Sequence, residues 1–257
     1  MAQRQPTQKD KEEVMRYLLR RLEAVNSMTY HLETLFREAI DRIVRICFQF
    51  HLRPEQLNKS NIPEKALMRI NEVVDWLKEA IIECFDLLVE AAPDSDKDFI
   101  LPWVKRQRKG MTFDERLNEY CDRFRFEMLL LTAAGIAVGL GSIPLINSLF
   151  RNIRKPWVNP DIKEGLDKIP SYGVGRSNVM FNAINALTRD GVASGWMKSK
   201  YQKDEEKGCI GWWVERGSSV PCDICDSMTG FHYNDSYLPM YHLSCCCTAT
   251  PVYPKNL

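Results

Sequence analysis

Six of the nine cysteines fall within the last 49 residues. They run Cys209, then Cys222-Asp-Ile-Cys225, then, after sixteen residues, His242-Leu-Ser-Cys245-Cys-Cys247. No other feature constrains the chain so tightly. A Cys-x2-Cys turn presents two thiolates to one ion from a tight loop, and a second His/Cys half at this distance completes a tetrahedral set for zinc. Pro221 helps fix the first turn, and Gly230 permits the return between the halves. The segment is short and loop-rich, so a bound ion supplies folding energy that a small core lacks. The expected cofactor is therefore one structural Zn2+. The favoured ligands are Cys222, Cys225, His242 and Cys247, with Cys245 the substitute for any of them. In an extended stretch Cys245 and Cys247 face one way and Cys246 the other, which makes Cys246 the poorest ligand. His232 is an outside candidate.

Two other readings use the same residues. A disulfide such as Cys225 with Cys245, or a set of free thiols, needs no metal. A disulfide framework requires an oxidising compartment. The N-terminal MAQRQPTQKDKEE has no apolar signal core, so secretion is not expected. A catalytic zinc needs an open coordination position and a nearby base. Asp223, Asp226 and Glu215 are close in sequence, but no His-x-Glu or His-Glu-x-x-His arrangement exists. No catalytic residue is assigned, and the chain is not expected to be an enzyme. Cys47, Cys84 and Cys121 are scattered, and the first two sit in apolar helical stretches, as ordinary buried cysteines do.

The rest of the chain reads as helix. Leu18, Leu22, Val25, Met28, Leu32, Leu35, Ala39, Ile43 and Ile46 recur every three or four positions over residues 11–50, on one face. Pro54 ends the pattern. A second helix is predicted from Asn61, with Glu64 three positions on as in a capping box. Its stripe is Leu67, Ile70, Val74, Leu77, Ile81, Cys84 and Leu88. Two such helices joined by a short turn pack as an antiparallel hairpin. A third helix begins after Thr112, with Glu115 completing another capping box. It leads into residues 128–150, 23 residues without a charge. That length spans a bilayer, and Gly135 and Gly139 stand in GxxxG register. The favoured reading is soluble, with the membrane span the alternative: one helix ends at the glycines, Ser142 caps the next and Pro144 falls in its first turn.

Proline and glycine crowd residues 151–175 and set a domain boundary there. A helix over 177–188 follows, stopping near Gly191 and Gly195, and then short strands at 209–215 and 248–253. In the first strand Trp212 and Trp213 put one ring in a small core and one at the surface. The predicted fold is mainly α: a helical hairpin or bundle over 1–155, then a small α+β zinc-knuckle module over 156–257. A composition of 45% hydrophobic and 27% charged residues is ordinary for a globular chain. A net charge of +1 gives no overall field toward nucleic acid or membrane. The runs Lys105, Arg106, Arg108, Lys109 and Arg151, Arg154, Lys155 are candidate contacts to DNA or an acidic partner, against the plainer reading of solvated loop charge. Gly173-Val-Gly175-Arg176 lacks the further glycine and the lysine of a phosphate loop.

The C-terminal third resembles the phage head morphogenesis family, minor head proteins related to protein F of phage Mu. The residues that carry the resemblance are the helix before 188, Trp212-Trp213, Cys222 and Cys225, Gly230, Pro239, the run His242 to Cys247, and Pro251. Leu243 and Cys246 stand where that family usually has proline and arginine. The resemblance covers about residues 130–253. It implies a few-copy virion component, present in the host cytoplasm during assembly. Its partners would be portal or capsid proteins, and its task head assembly and genome packaging or delivery. Some relatives continue into enzymatic or toxin domains after the knuckle; none is expected past Leu257. The competing readings are a zinc-ribbon-like nucleic-acid-binding protein, a membrane-inserting protein using residues 128–150, and a zinc hydrolase or deaminase.

Overall fold

A computed structural model of the chain describes residues 6–58, 61–93, 95–168, 179–217, 219–233, 238 and 245–254. The order of elements is α1 (Gln8–Gln49), α2 (Pro54–Asn58), α3 (Glu64–Glu90), α4 (Lys97–Lys105), α5 (Phe113–Ala137), α6 (Ser142–Arg151), α7 (Lys163–Lys168) and α8 (Met180–Glu206), then β1 (Gly211–Glu215), α9 (Asp223–Ser227), β2 (Gly230–Tyr233) and β3 (Thr248–Val252). The protein is thus mainly helical with a small antiparallel sheet near its C-terminus, as the apolar periodicities predict. Contacts gather the described residues into two compact units. One draws on 1–28, 85–106 and 188–257, the other on 29–84 and 107–187.

In the second unit, the later part of α1 buries Leu32, Phe36, Ala39, Ile40 and Ile43. Burying each of the larger side chains, Leu32, Phe36, Ile40 and Ile43, contributes about 1.5–3 kcal/mol before entropy is counted. The first part of α3 runs antiparallel to it: Arg69 donates to Gln49 at 2.9 Å, and the Arg42 guanidinium lies 4.7 Å from the Trp76 ring centre. The start of α3 differs from the sequence expectation. It lies at Glu64, directly behind Pro63, whose carbonyl accepts from the N–H groups of Ala66 and Leu67. A proline has no N–H to lose at a helix start, which favours it there over Asn61. The Asn61 N–H is instead held by the Gln56 carbonyl at 3.1 Å.

Helix α5 starts as predicted, with Thr112 and Glu115 exchanging side-chain and backbone bonds in a capping box. The apolar run 128–150 is divided between α5 and α6. Gly139, at φ +78°, lies in the turn between them. Gly141, not Ser142, is the N-cap of α6, and no side chain caps it; Ser142 is the first helical residue. No described helix is long and apolar enough to cross a membrane. The core of this unit centres on Phe36, whose ring meets Phe124 and Phe181 edge-on at 4.7 and 5.1 Å.

In the first unit, α8 does not stop at its glycines but continues to Glu206. A Cβ on Gly191 would lie 2.5 Å from the Phe85 ring, and one on Gly195 would lie 3.0 Å from Val89. These glycines let the end of α3 and α4 approach the α8 backbone, which offsets their cost to the helix. The Trp196 indole donates to the Leu88 carbonyl at 2.8 Å and fixes the same contact. The sheet has the order β2-β1-β3, with β1 antiparallel to both neighbours. Trp212 on β1 is fully buried beside Tyr201, Met197 and Ala249, while Trp213 is half-buried. Gly230 takes φ +115° at the start of β2, the backbone state the return turn demands.

Candidate metal centre

The first half of the knuckle is one short helical turn. Cys222 is the N-cap of α9, and its carbonyl accepts from Asp226 N–H at 2.8 Å. Cys225 lies three residues on, inside the turn, and is buried. The second half is the extended segment that enters β3. Cys245 and Cys247 are both buried and Cys246 between them is half-buried, which follows the expected alternation. Gly217 lets these strands close up, because a Cβ there would fall 1.8 Å from the Cys246 carbonyl oxygen.

These elements bring the Sγ atoms of Cys225, Cys245 and Cys247 within 4.8 Å of one another. The Cys225 and Cys245 sulfurs are 4.0 Å apart. Two thiolates on a tetrahedral zinc, each about 2.3 Å from it, stand roughly 3.8 Å apart. A disulfide would need about 2.05 Å. The three residues could therefore hold a metal ion with little movement. Cys222 is half-buried, packs against the cluster and hydrogen-bonds with Cys225. His242 lies outside the described residues, as do Pro239 and Leu243.

Burial pushes the Cys225 thiol well above its ordinary value, and the neighbouring Cys222, Cys247 and Cys245 add to the rise. Burial also raises Cys247, opposed by its bonds with Cys225 and with the Gly217 N–H. Thiols packed this closely resist ionising together. A divalent cation reverses that balance, since it deprotonates the thiols that coordinate it.

The remaining candidates stand apart from the three thiols. Cys209 is buried at the start of β1, where its thiol donates to the Gly211 carbonyl at 2.8 Å. His232 on β2 shares a 2.9 Å hydrogen bond with the Met228 carbonyl. Of the nearby acids, Asp226 pairs with Arg216 at 2.5 Å and Glu215 with Lys11 at 2.6 Å, both toward solvent. Lys105 of the basic run is paired with Asp86 at 2.7 Å, and Arg106 lies over the Trp103 ring. In the other run, Arg151 pairs with Asp161 at 2.9 Å and Arg154 with Glu33 at 2.6 Å.

Two features were not read from the sequence. Arg21 is buried and donates to the Cys245 carbonyl at 3.3 Å. Its only signal is register, three residues after Leu18 and four before Val25 on the apolar face. The second is a cleft of about 330 Å³, lined by Arg16, Arg20, Lys200, Lys203 and Lys207 and by the acids Asp10, Glu13 and Asp204. Compared with protein-family models, with curated proteins and with solved structures, the chain matches none.

Proposed function

We propose that the chain is a non-enzymatic assembly protein, a minor head component of a tailed-phage or prophage particle, whose C-terminal module is closed by one structural zinc ion. The observation that carries the reading is the cluster of three buried thiols, Cys225, Cys245 and Cys247. Those thiols would be three of the ligands, and Cys222 or His242 the fourth. A centre closed by four protein ligands has no position left for water or substrate, so its contribution is to stability. The Cys222–Cys225 turn and the strand entering β3 are separated by about twenty residues in sequence, and joining them through an ion offsets the entropy of closing that loop. The link to a virion comes from the order of motifs in the C-terminal third: helix, tryptophan strand, Cys-x2-Cys, glycine and a His/Cys run followed by proline.

Quantitative mass spectrometry of particles induced from a strain that encodes the chain tests this role. The expected result is a copy number that is a small fraction of that of the major capsid protein. Intact particles without the chain would refute it. A second reading, contact with nucleic acid, starts from the cleft lined by α1 and α8, which holds five basic side chains beside the acids Asp10, Glu13 and Asp204, the last of them paired with Lys200 at 2.5 Å. An affinity for DNA that falls steeply with salt would support that reading.

A further inference from the structure

Arg21 lies in the first part of α1 and is only 1% exposed. A guanidinium carries five N–H donors and a permanent charge. Among the described residues one bond is made, from Nη2 to the Cys245 carbonyl at 3.3 Å. Nε and Nη1 are buried without a hydrogen-bond partner among the described residues. No carboxylate forms an ion pair with Arg21 among those residues. The groups whose charge acts on it are Tyr201, Cys245, Cys246 and Tyr17. An arginine in this state is costly, because a buried charge needs a counter-charge and a buried donor needs an acceptor.

The thiol cluster supplies both once it is loaded. Zinc carries two positive charges, and its cysteine ligands bind as thiolates. Three thiolates and a neutral fourth ligand leave the centre with one negative charge; a fourth thiolate leaves two. A buried anion of that kind requires a cation close by, and Arg21 is held against the backbone of one of the three thiol residues. We infer that Arg21 is the counter-charge of a thiolate-rich metal centre and the residue that ties α1 to the knuckle when metal is bound. This rests on the zinc reading given above. It makes Arg21 a positioning residue, since it acts on the ligands and not on the ion. The sign of its effect depends on metal. Without the ion its buried charge opposes folding of the knuckle, and with the ion the same charge stabilises it.

The test uses the full-length chain, as wild type, Arg21→Met and Arg21→Lys. Zinc affinity is measured by competition with a chromophoric chelator, and thermal unfolding is followed with and without zinc. The expected result is that Arg21→Met binds zinc about 10- to 100-fold more weakly, the usual range for an outer partner of a metal site. Its metal-free unfolding temperature should be no lower than that of the wild type. Arg21→Lys keeps the charge but not the planar fork, so it should lose less affinity. Equal zinc affinity in wild type and Arg21→Met overturns the inference and leaves the zinc reading standing. An Arg21→Met chain that is destabilised to the same extent with and without zinc also overturns it. A wild type that binds no zinc overturns both.

Discussion

Glu127 offers a direct test of how the helical core is built. It sits on α5, 1% exposed, and accepts the Trp157 indole N–H at 3.2 Å and the Met180 N–H, at the start of α8, at 3.3 Å. Burial raises its pKa from 4.5 to about 7, and the two donors only partly oppose the rise. A shift from 4.5 to about 7 corresponds to roughly 3 kcal/mol of differential interaction between the two protonation states. The sign follows from linkage. Below pH 4.5 both folded and unfolded chains hold the proton, and the full stabilisation is present. As pH rises the unfolded chain loses its proton first, so stability falls until the folded carboxyl also ionises near pH 7, and then levels. Glu127→Gln cannot ionise and keeps the shape. Its amide faces one donor with an N–H, a cost of about 1 kcal/mol that does not vary with pH. Urea unfolding of both chains at matched zinc, from pH 4 to pH 8, should show wild-type stability falling relative to the variant by roughly 3 kcal/mol across that window. Parallel profiles for the two chains between pH 4.5 and 7 would refute the assignment of a buried, proton-holding carboxyl.

Gly191→Ala should lose about 1–2 kcal/mol in denaturant unfolding, because the overpacking against Phe85 outweighs the better helix propensity. Gly195→Ala, whose new methyl would stand 3.0 Å from Val89 and 3.2 Å from Val104, should lose less than Gly191→Ala by the same assay. Burial pushes the Cys47 and Cys121 thiols up to about 12, so native-state alkylation at pH 8 should leave both unmodified while urea exposes them, as peptide mapping would show. Thr112→Ala should cost about 1 kcal/mol through loss of the capping box, measured by thermal unfolding.

The helices that sequence patterns locate well are those whose ends carry a chemical signature. Thr112 with Glu115 marks the start of α5, and the periodic stripe of residues 11–50 marks α1, because both signals are local. The glycines of α8 mislead for a physical reason. A glycine that stops a helix and one that admits a neighbouring side chain look alike in sequence, and only Phe85, Val89 and Val104 across the contact decide between them. Strand β2 escapes notice because Gly-Phe-His-Tyr has no clear alternation; its residues are half-buried or exposed, and it exists by pairing with β1. The discontinuous grouping of residues 1–28 and 85–106 with 188–257 is likewise set by long-range contacts, which a change in local composition near residue 155 does not encode.

At the thiol centre the sequence identifies the residue types and their alternation. Cys245 and Cys247 share the buried side, and Cys246 does not. It does not reveal that Cys245 joins Cys225 and Cys247 as closely as it does, because that depends on the long-range pairing of β3 with β1. Arg21 is hidden in a different way. A basic residue in an apolar stripe usually extends its head to water, and only the fold shows that this one is enclosed.

If Cys225, Cys245 and Cys247 hold a zinc ion, the ion should travel with the purified chain. The most direct measurement is metal content by mass spectrometry of the full chain purified under reducing conditions, for wild type, Cys225→Ser and Cys246→Ser. The expected result is one zinc per wild-type chain, the same for Cys246→Ser, and loss of the ion with a lowered unfolding temperature for Cys225→Ser. A wild-type chain that carries no zinc, takes none up, and unfolds at the same temperature with or without a chelator would contradict it.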